Sequence, residues 1–382
     1  MNTQHKDLTD LQIGVLGGGQ LGRMMLQSST DFNLQIHMLD PDANAPCAHI
    51  AQTFTQGSLL DYETVMEFGA DKDVITIEIE TVNTEALKAL QKQGKKVFPQ
   101  PEIIELIQDK RKQKTFYKAN RIPTADFILT ENKQEVQAHA SFLPAVNKLG
   151  KGGYDGRGVQ VIKTASELNK AFEEPSLLEK LIDFKKELSV IVARNESGEV
   201  KCFPLVELAF HPEANLVEFL FAPAEVSVEI EEKAQKLAED LITKLDLVGL
   251  LAVEMFLTQE DEVLVNEIAP RTHNSGHHTI EANITSQFEQ HLRAILDLPL
   301  GSTELIKPAA MVNVLGEKGF TGNARYEGMH ELLSENGVHL HLYGKKITKP
   351  FRKMGHITLT DENTASLKQK ALRVKEILKV KA

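Results

Sequence analysis

The sequence predicts an α/β and α+β architecture: a parallel-sheet unit first, a larger mixed unit in the middle, and a small mixed unit at the end. Three observations carry this. Apolar strands alternate with helical patterns over the first hundred residues, a glycine-dense loop interrupts the middle of the chain, and two apolar runs there enclose a short polar turn. With 382 residues the chain is too long for one ordinary core and suits two or three.

The N-terminal strands are expected at 11–16, 34–39 and 74–79, with helices between them. The turn after the first, Gly17-Gly-Gly-Gln-Leu-Gly22, matches the glycine fingerprint of dinucleotide-binding folds. Asp40 ends the second strand near the spacing of a ribose contact. Taken alone, these features describe an NAD-dependent dehydrogenase, but nothing downstream supplies a hydride-transfer site. Pro99 and Pro101 close this unit, a helix is expected over 102–119, and Ile122-Pro123 breaks it. The first unit is therefore placed at 1–102. The second, 103–298, ends in a helical pattern at 286–296 before Pro299, Gly301 and Pro308. The third, 299–382, carries strands at 309–314, 338–343 and 356–360 and a closing lysine-rich helix.

In the middle unit, Lys148 precedes Gly150-Lys-Gly-Gly-Tyr-Asp-Gly-Arg-Gly158, whose backbone amides can close round phosphate oxygens. No Gly-Lys-Ser or Gly-Lys-Thr tail follows, which excludes a P-loop. A plain flexible turn would not interleave Tyr154, Asp155 and Arg157. Downstream, 177–182 reads as a strand leading to a linker, with Glu187 placed to accept bonds from sugar hydroxyls. Further on, 250–257 and 263–269 read as a hairpin around Thr258–Glu262. A turn centred on Glu260 and Asp261 sets Glu254 across from Glu267. Like charges paired across strands destabilise a sheet, so a bound cation, with oxygen ligands suited to magnesium, explains them best. Asn266 and Glu267 should face opposite sides of a regular strand, so a twist or bulge is needed if both bind metal. The solvent-exposed edge pair is the alternative.

Apolar residues make up 42% and charged residues 25%, with a net charge of −11. That balance argues against general affinity for nucleic acid or anionic membrane, so any anionic ligand must meet a local cluster of cations. The first ten residues lack a signal-peptide core and no run is long enough to span a bilayer, so the cytoplasm is the expected address. Cys47 and Cys202 lie far apart, with no metal-ligand spacing, and read as structural.

The lysine, the glycine lid and the opposed carboxylates, in that order, resemble the ATP-grasp superfamily, which holds ATP between two α+β subdomains. Gly17–Met24, Gly152–Gly158, Asn266-Glu-Ile-Ala-Pro-Arg271 with His273-Asn-Ser-Gly-His277, and Arg352-Lys-Met-Gly-His356 together resemble the N5-carboxyaminoimidazole ribonucleotide synthase family of purine biosynthesis. The resemblance implies a pre-ATP-grasp first unit, a lid subdomain over about 122–180, and a last unit completing the substrate site. It implies carboxylation of 5-aminoimidazole ribonucleotide by bicarbonate through carboxyphosphate, at the expense of ATP. Two magnesium ions, replaceable by manganese, would serve Glu254, Glu267 and Asn266. ATP would meet Lys148, Gly153, Tyr154, Asp155, Gly156, Arg157 and Gly158, with Glu179, Lys180, Leu181 and Ile182 at adenine, Glu187 at ribose, and His211, Asn266 and Glu267 nearby. Lys110 stands where the family has an arginine, and neighbouring Arg111 is its possible substitute. Gln20, Leu21, Glu78, Tyr154, Arg157, Asn274, Lys345, Arg352 and Lys353 would line the ribonucleotide site. Asp155, Arg271, His273, Asn274 and Lys345 are the expected catalytic group, with Asp155 as base. The family also suggests a homodimer. Rival readings are a glycinamide ribonucleotide transformylase-like ligase, a non-catalytic nucleotide-binding regulator, and a zinc site at His273, His277 and His278.

Overall fold

The computed structural model describes residues 6–153, 158–211 and 216–382. The N-terminal unit is a five-stranded parallel sheet in the order Thr53–Gln56, Gln35–Asp40, Gln12–Leu16, Val74–Ile77, Lys96–Val97. Its central strands are apolar on both faces because helices cover both. Ile13, Val15, Ile36 and Met38 pack on one side with Met24 and Met25, and Leu16, Leu39, Ile75 and Ile77 pack on the other with Val65, Phe68 and Leu87. The first face also receives Phe288, Leu292 and Ile295 from the distant helix Gln287–Ile295. The Thr76 hydroxyl and His291 Nε2 are 2.9 Å apart within this contact.

The single helix expected over 102–119 is two: Pro101–Ile107 and Lys110–Ala119. Asp109 caps the second, accepting from the Arg111 amide at 3.0 Å, so the chain turns there and sets Lys110 at a helix start. A four-stranded antiparallel sheet follows, in the order Phe127–Thr130, Ser176–Lys180, Ala145–Leu149, Val159–Ile162. Glu187 then falls within an eleven-residue strand, Phe184–Arg194, rather than on a linker.

That strand belongs to a nine-stranded sheet whose main path runs Val263–Ala269, Gly249–Thr258, Phe184–Arg194, Val206–Phe210, Val217–Ala222, Ala309–Leu315, Lys353–Thr360, Val338–Leu342. The strands expected to form a separate last unit thus extend the central sheet, through pairing of Val217–Ala222 with Ala309–Leu315. This covers an edge that would otherwise present unpaired backbone groups. One face is sealed by helices: Leu188, Val190 and Val253 pack beneath Ile230, Ala234 and Leu241, and Val312, Ile357 and Leu359 beneath Leu367 and Val374. Strand alternation sends Glu187, Ser189 and Glu254 to the opposite face. No helix among the described residues is long and apolar enough to cross a membrane.

Candidate active site

The hairpin opposes Glu254 and Glu267 by a route different from the expected one. Near the turn Leu257 pairs with Val263 and Met255 with Val265, so the turn centres one half-residue earlier than anticipated. Asp261 takes a left-handed conformation, φ 63°, and the Thr258 amide bonds the Glu262 carbonyl at 2.9 Å. The register then shifts between Met255 and Glu254, leaving Asn266 as the extra residue and bringing Glu254 level with Glu267. This is a β-bulge, which re-aims side chains where a regular pleat cannot. It removes the conflict between Asn266 and Glu267 as neighbours on one strand.

Cations gather on one side of this pair. Lys110 forms an ion pair with Glu267. Lys148 Nζ lies 2.5 Å from Glu179 Oε2 and 3.1 Å from Asn266 Oδ1, and Lys114 Nζ lies 2.8 Å from Glu179 Oε1. Arg111 instead turns away to pair with Glu131, so Lys110 is the residue that reaches the carboxylates. Burial disfavours charge on Glu267, but Lys110 and Lys148 outweigh it and hold the carboxyl below its ordinary value. At Glu254 the nearby cations, Lys353 and Lys110, do not outweigh the opposing causes. Burial, then Glu267 and Glu187, raise this carboxyl to about 7. Burial also raises Glu187 to about 7, with Lys148 opposing.

The loop beyond the hairpin is fixed by its own polar contacts. Arg271 Nε is 2.9 Å from Glu80 Oε1. His273 Nε2 lies 3.6 Å from Glu254 Oε1, and its Nδ1 lies 2.9 Å from Ser275 Oγ, which is 2.8 Å from Ser189 Oγ. Burial, then Arg271 and Lys353, push the His273 imidazole down to about 3, so it is neutral at ordinary pH. Asn274 exchanges amide bonds of 2.9 Å in both directions with Asn313, which places its side chain in a buried pair. His277 lies against His356, with ring centroids 4.7 Å apart and the rings tilted by 34°, and His278 is buried. Among the described residues no group of three His, Cys, Asp or Glu side chains is placed to hold a metal ion, so His273, His277 and His278 do not form the alternative zinc site.

A second cluster joins the two ends of the chain. Lys345 Nζ donates to Gln20 Oε1 at 2.6 Å and to the Lys353 carbonyl at 2.8 Å. Arg352 Nη1 donates to the Ile347 carbonyl at 2.7 Å. Leu21 is buried in the core behind Gln20. Glu78 accepts from the Gly19 amide at 2.7 Å and the Gly22 amide at 2.8 Å, and Asp40 accepts from the Gly18 amide at 2.7 Å. A Cβ on Gly19 would approach Glu78 to 2.4 Å. The amides that would cradle a dinucleotide's pyrophosphate are thus held by the protein's own carboxylates, which removes the basis of the dehydrogenase reading.

Other expected residues are more dispersed. Lys180 directs its ammonium to the Phe142 carbonyl at 3.1 Å, and its amide and that of Leu181 bond the Asp126 and Pro144 carbonyls. Ile182 follows as a half-buried residue between the two sheets' strands. His211 sits against Phe351, centroids 5.5 Å apart, with Nε2 3.9 Å from Glu218 Oε1. Gly158 bonds the Leu149 amide through its carbonyl at 2.9 Å, and Gly153 is half-buried. Tyr154, Asp155, Gly156 and Arg157 lie outside the described residues. Lys114, Glu80, Ser189 and Gln287 escaped the sequence reading. Only Lys114 left a signal, since its spacing of four from Lys110 puts both on one helix face.

Known proteins resemble the chain over most of its length. Residues 11–108 match the ribonucleotide synthetase preATP-grasp domain, 115–288 the ATP-grasp domain, and 309–370 the phosphoribosylaminoimidazole carboxylase C-terminal domain. The chain is 40% identical over 353 residues to the N5-carboxyaminoimidazole ribonucleotide synthase of Bacillus subtilis (strain 168), covering 91% of this chain and 90% of that one. It is similar in structure to the N5-carboxyaminoimidazole ribonucleotide synthetase of Thermotoga maritima, with TM-score 0.90, 42% identity, and 97% and 99% of the two chains covered. It is also similar to the Aspergillus clavatus synthase in complex with ADP and 5-aminoimidazole ribonucleotide, with TM-score 0.87, 34% identity, and 97% and 100% covered. Other curated relatives, named phosphoribosylaminoimidazole carboxylase, are longer, and the chain spans 66% of their length.

Proposed function

The chain belongs to the N5-carboxyaminoimidazole ribonucleotide synthase family of ATP-grasp ligases, and from that premise we propose how its own residues carry out the reaction. The reaction is the ATP-dependent carboxylation of 5-aminoimidazole ribonucleotide in purine biosynthesis. Bicarbonate is the carbon source: its oxygen takes the γ-phosphoryl group of ATP to give carboxyphosphate and ADP. The exocyclic amine of the ribonucleotide then attacks the carboxyl carbon, the C–O bond to phosphate breaks, and the amine proton passes to Asp155.

The observation that carries this reading is the opposition of Glu254 and Glu267 across a bulge that adds Asn266. Two carboxylates and an amide oxygen suit a hard divalent cation that completes its shell with phosphate oxygens and water. Magnesium, as two ions and replaceable by manganese, would be held by Glu254, Glu267 and Asn266, and would neutralise the transferring phosphoryl group.

The remaining steps fall to side chains. Lys110 and Lys148, which meet Glu267 and Asn266 in the structure, would turn to phosphate oxygens if a cation held those two groups. Glu179 keeps hold of Lys148 and aims it. Arg271, oriented by Glu80, offers its guanidinium to bicarbonate, and neutral His273 contributes a hydrogen bond without adding charge beside Glu254. Gln20, Lys345, Arg352 and Lys353 bind the ribonucleotide phosphate, with Glu78 holding the glycine loop in shape and Asn274 steadying the loop behind it. Glu187 takes the ribose of ATP, and Tyr154 and Arg157 are assigned to the substrates by the family motif alone. The reading extends to the units 1–102, 103–298 and 299–382, a homodimer, and a cytoplasmic site of action.

Phosphate release from ATP, measured with each ribonucleotide and with and without bicarbonate, tests it. Release should require both bicarbonate and 5-aminoimidazole ribonucleotide for full rate. Equal release with glycinamide ribonucleotide and formate would assign the chain to the transformylase-like alternative.

A further inference from the structure

From one buried amide we infer that Gln287 is a positioning residue for the reaction, clamping the backbone of His273 so that Arg271 and His273 meet the phosphoryl acceptor in register. Gln287 is fully buried at the first turn of the helix Gln287–Ile295. Its Oε1 accepts from the His273 amide at 2.8 Å, and its Nε2 donates to the His273 carbonyl at 2.7 Å. One side chain thereby satisfies both backbone groups of one residue, as a neighbouring β-strand would. The Gln287 amide donates to Thr279 Oγ1 at 2.8 Å, and that hydroxyl donates to the Gly276 carbonyl at 2.6 Å. Gly276 makes room for the clamp: a Cβ there would lie 2.5 Å from Gln287 Cδ.

The same helix is anchored along its length in the N-terminal unit, through Phe288, Leu292 and Ile295 in its core and His291 against Thr76. The clamp therefore fixes the Arg271–His273 segment to the N-terminal unit, whose helix Gln20–Thr30 begins at Gln20, so that the acceptor and the ribonucleotide are referred to one rigid element. A shift of about 1 Å in such a segment can cost on the order of 10²-fold in rate.

The inference rests on the reading that Arg271 and His273 face bicarbonate, and the test separates the two. Gln287→Ala and Gly276→Ala should each raise KM for bicarbonate or lower kcat about tenfold or more, with KM for ATP within about twofold of the parent. Because the added methyl of Gly276→Ala has no amide to strike once Gln287 is removed, the double variant should lose no more than Gln287→Ala alone. Additive losses, or a matching rise in KM for ATP, would overturn the clamp. If Gln287→Ala does not fold, as judged by its melting transition, Gly276→Ala alone must show the bicarbonate-selective loss, and its absence overturns the inference. Arg271→Lys serves as the separate check: unchanged KM for bicarbonate there removes the underlying reading, whereas a rise there with no effect at Gln287 removes only the clamp.

Discussion

The Glu254 carboxyl sits where burial and two acidic neighbours oppose its ionisation, and together with Glu187, which burial raises over the same range, it should govern how the site responds to pH. Its pKa rises from the ordinary 4.5 to about 7, with burial the largest cause and Glu267 and Glu187 next. A carboxyl raised in the folded state contributes stability below its unfolded value and loses that contribution as pH climbs through its folded value. The metal-free protein should therefore lose stability between pH 4.5 and about 7 through this group. Cation binding runs the other way, because Glu254 must release its proton to become a ligand. Manganese titrated into the protein with ADP present should bind more tightly at pH 8 than at pH 6, approaching about tenfold per pH unit on the acid side. Affinity independent of pH over that range would show that Glu254 is not a ligand. Lowered Glu267 and raised Glu254 thus give two opposed carboxylates different ionisation at neutral pH, which moderates their repulsion before a cation arrives.

At the scale of elements, the hairpin and the start of the helix Lys110–Ala119 make the site. Lys114 and Glu179 are both buried, with side chains 3% and 5% exposed, and Lys148 completes the triad. Removing one member of a buried ionic group leaves the others undercompensated, at a cost of about 3 kcal/mol or more. Lys114→Met should lower unfolding free energy by about that amount in denaturant titration and weaken ATP binding, since Glu179 then draws Lys148 towards itself. Unchanged stability would mean the triad is not a unit. The hairpin was legible because two apolar runs flank five polar residues, and that spacing alone brings Glu254 near Glu267. The bulge was not legible in position. Where an extra residue falls depends on which strands flank the pair, and a regular pleat would have turned Asn266 away. The division of the helix at Asp109 was missed for a related reason: a capping aspartate within a helical pattern reads as one more solvated acid until its backbone partners are known. Gln287 left no trace at all, since a polar residue at a helix start is ordinary and its burial is a tertiary fact.

Across the whole molecule, a chain of net charge −11 builds two local cation clusters. One, of Lys110, Lys114 and Lys148, faces the opposed carboxylates, and the other, of Lys345, Arg352 and Lys353, is joined to Gln20 across 325 positions of sequence. The alternation of strands and helices made the parallel N-terminal sheet readable, and the motifs made the family readable. The continuous sheet that runs from the hairpin into the last strands could not be read, because pairing between Val217–Ala222 and Ala309–Leu315 follows from an edge needing cover rather than from any local pattern. That continuity sets the opposed carboxylates and the strand that begins at Lys353 in one sheet. Anomalous scattering from manganese in crystals grown with ADP tests this most directly. The ion should appear between the Glu254 and Glu267 carboxylates at about 2.2 Å from an oxygen of each, in contact with the nucleotide's phosphate. An ion bound to the nucleotide but out of reach of either carboxylate would contradict it.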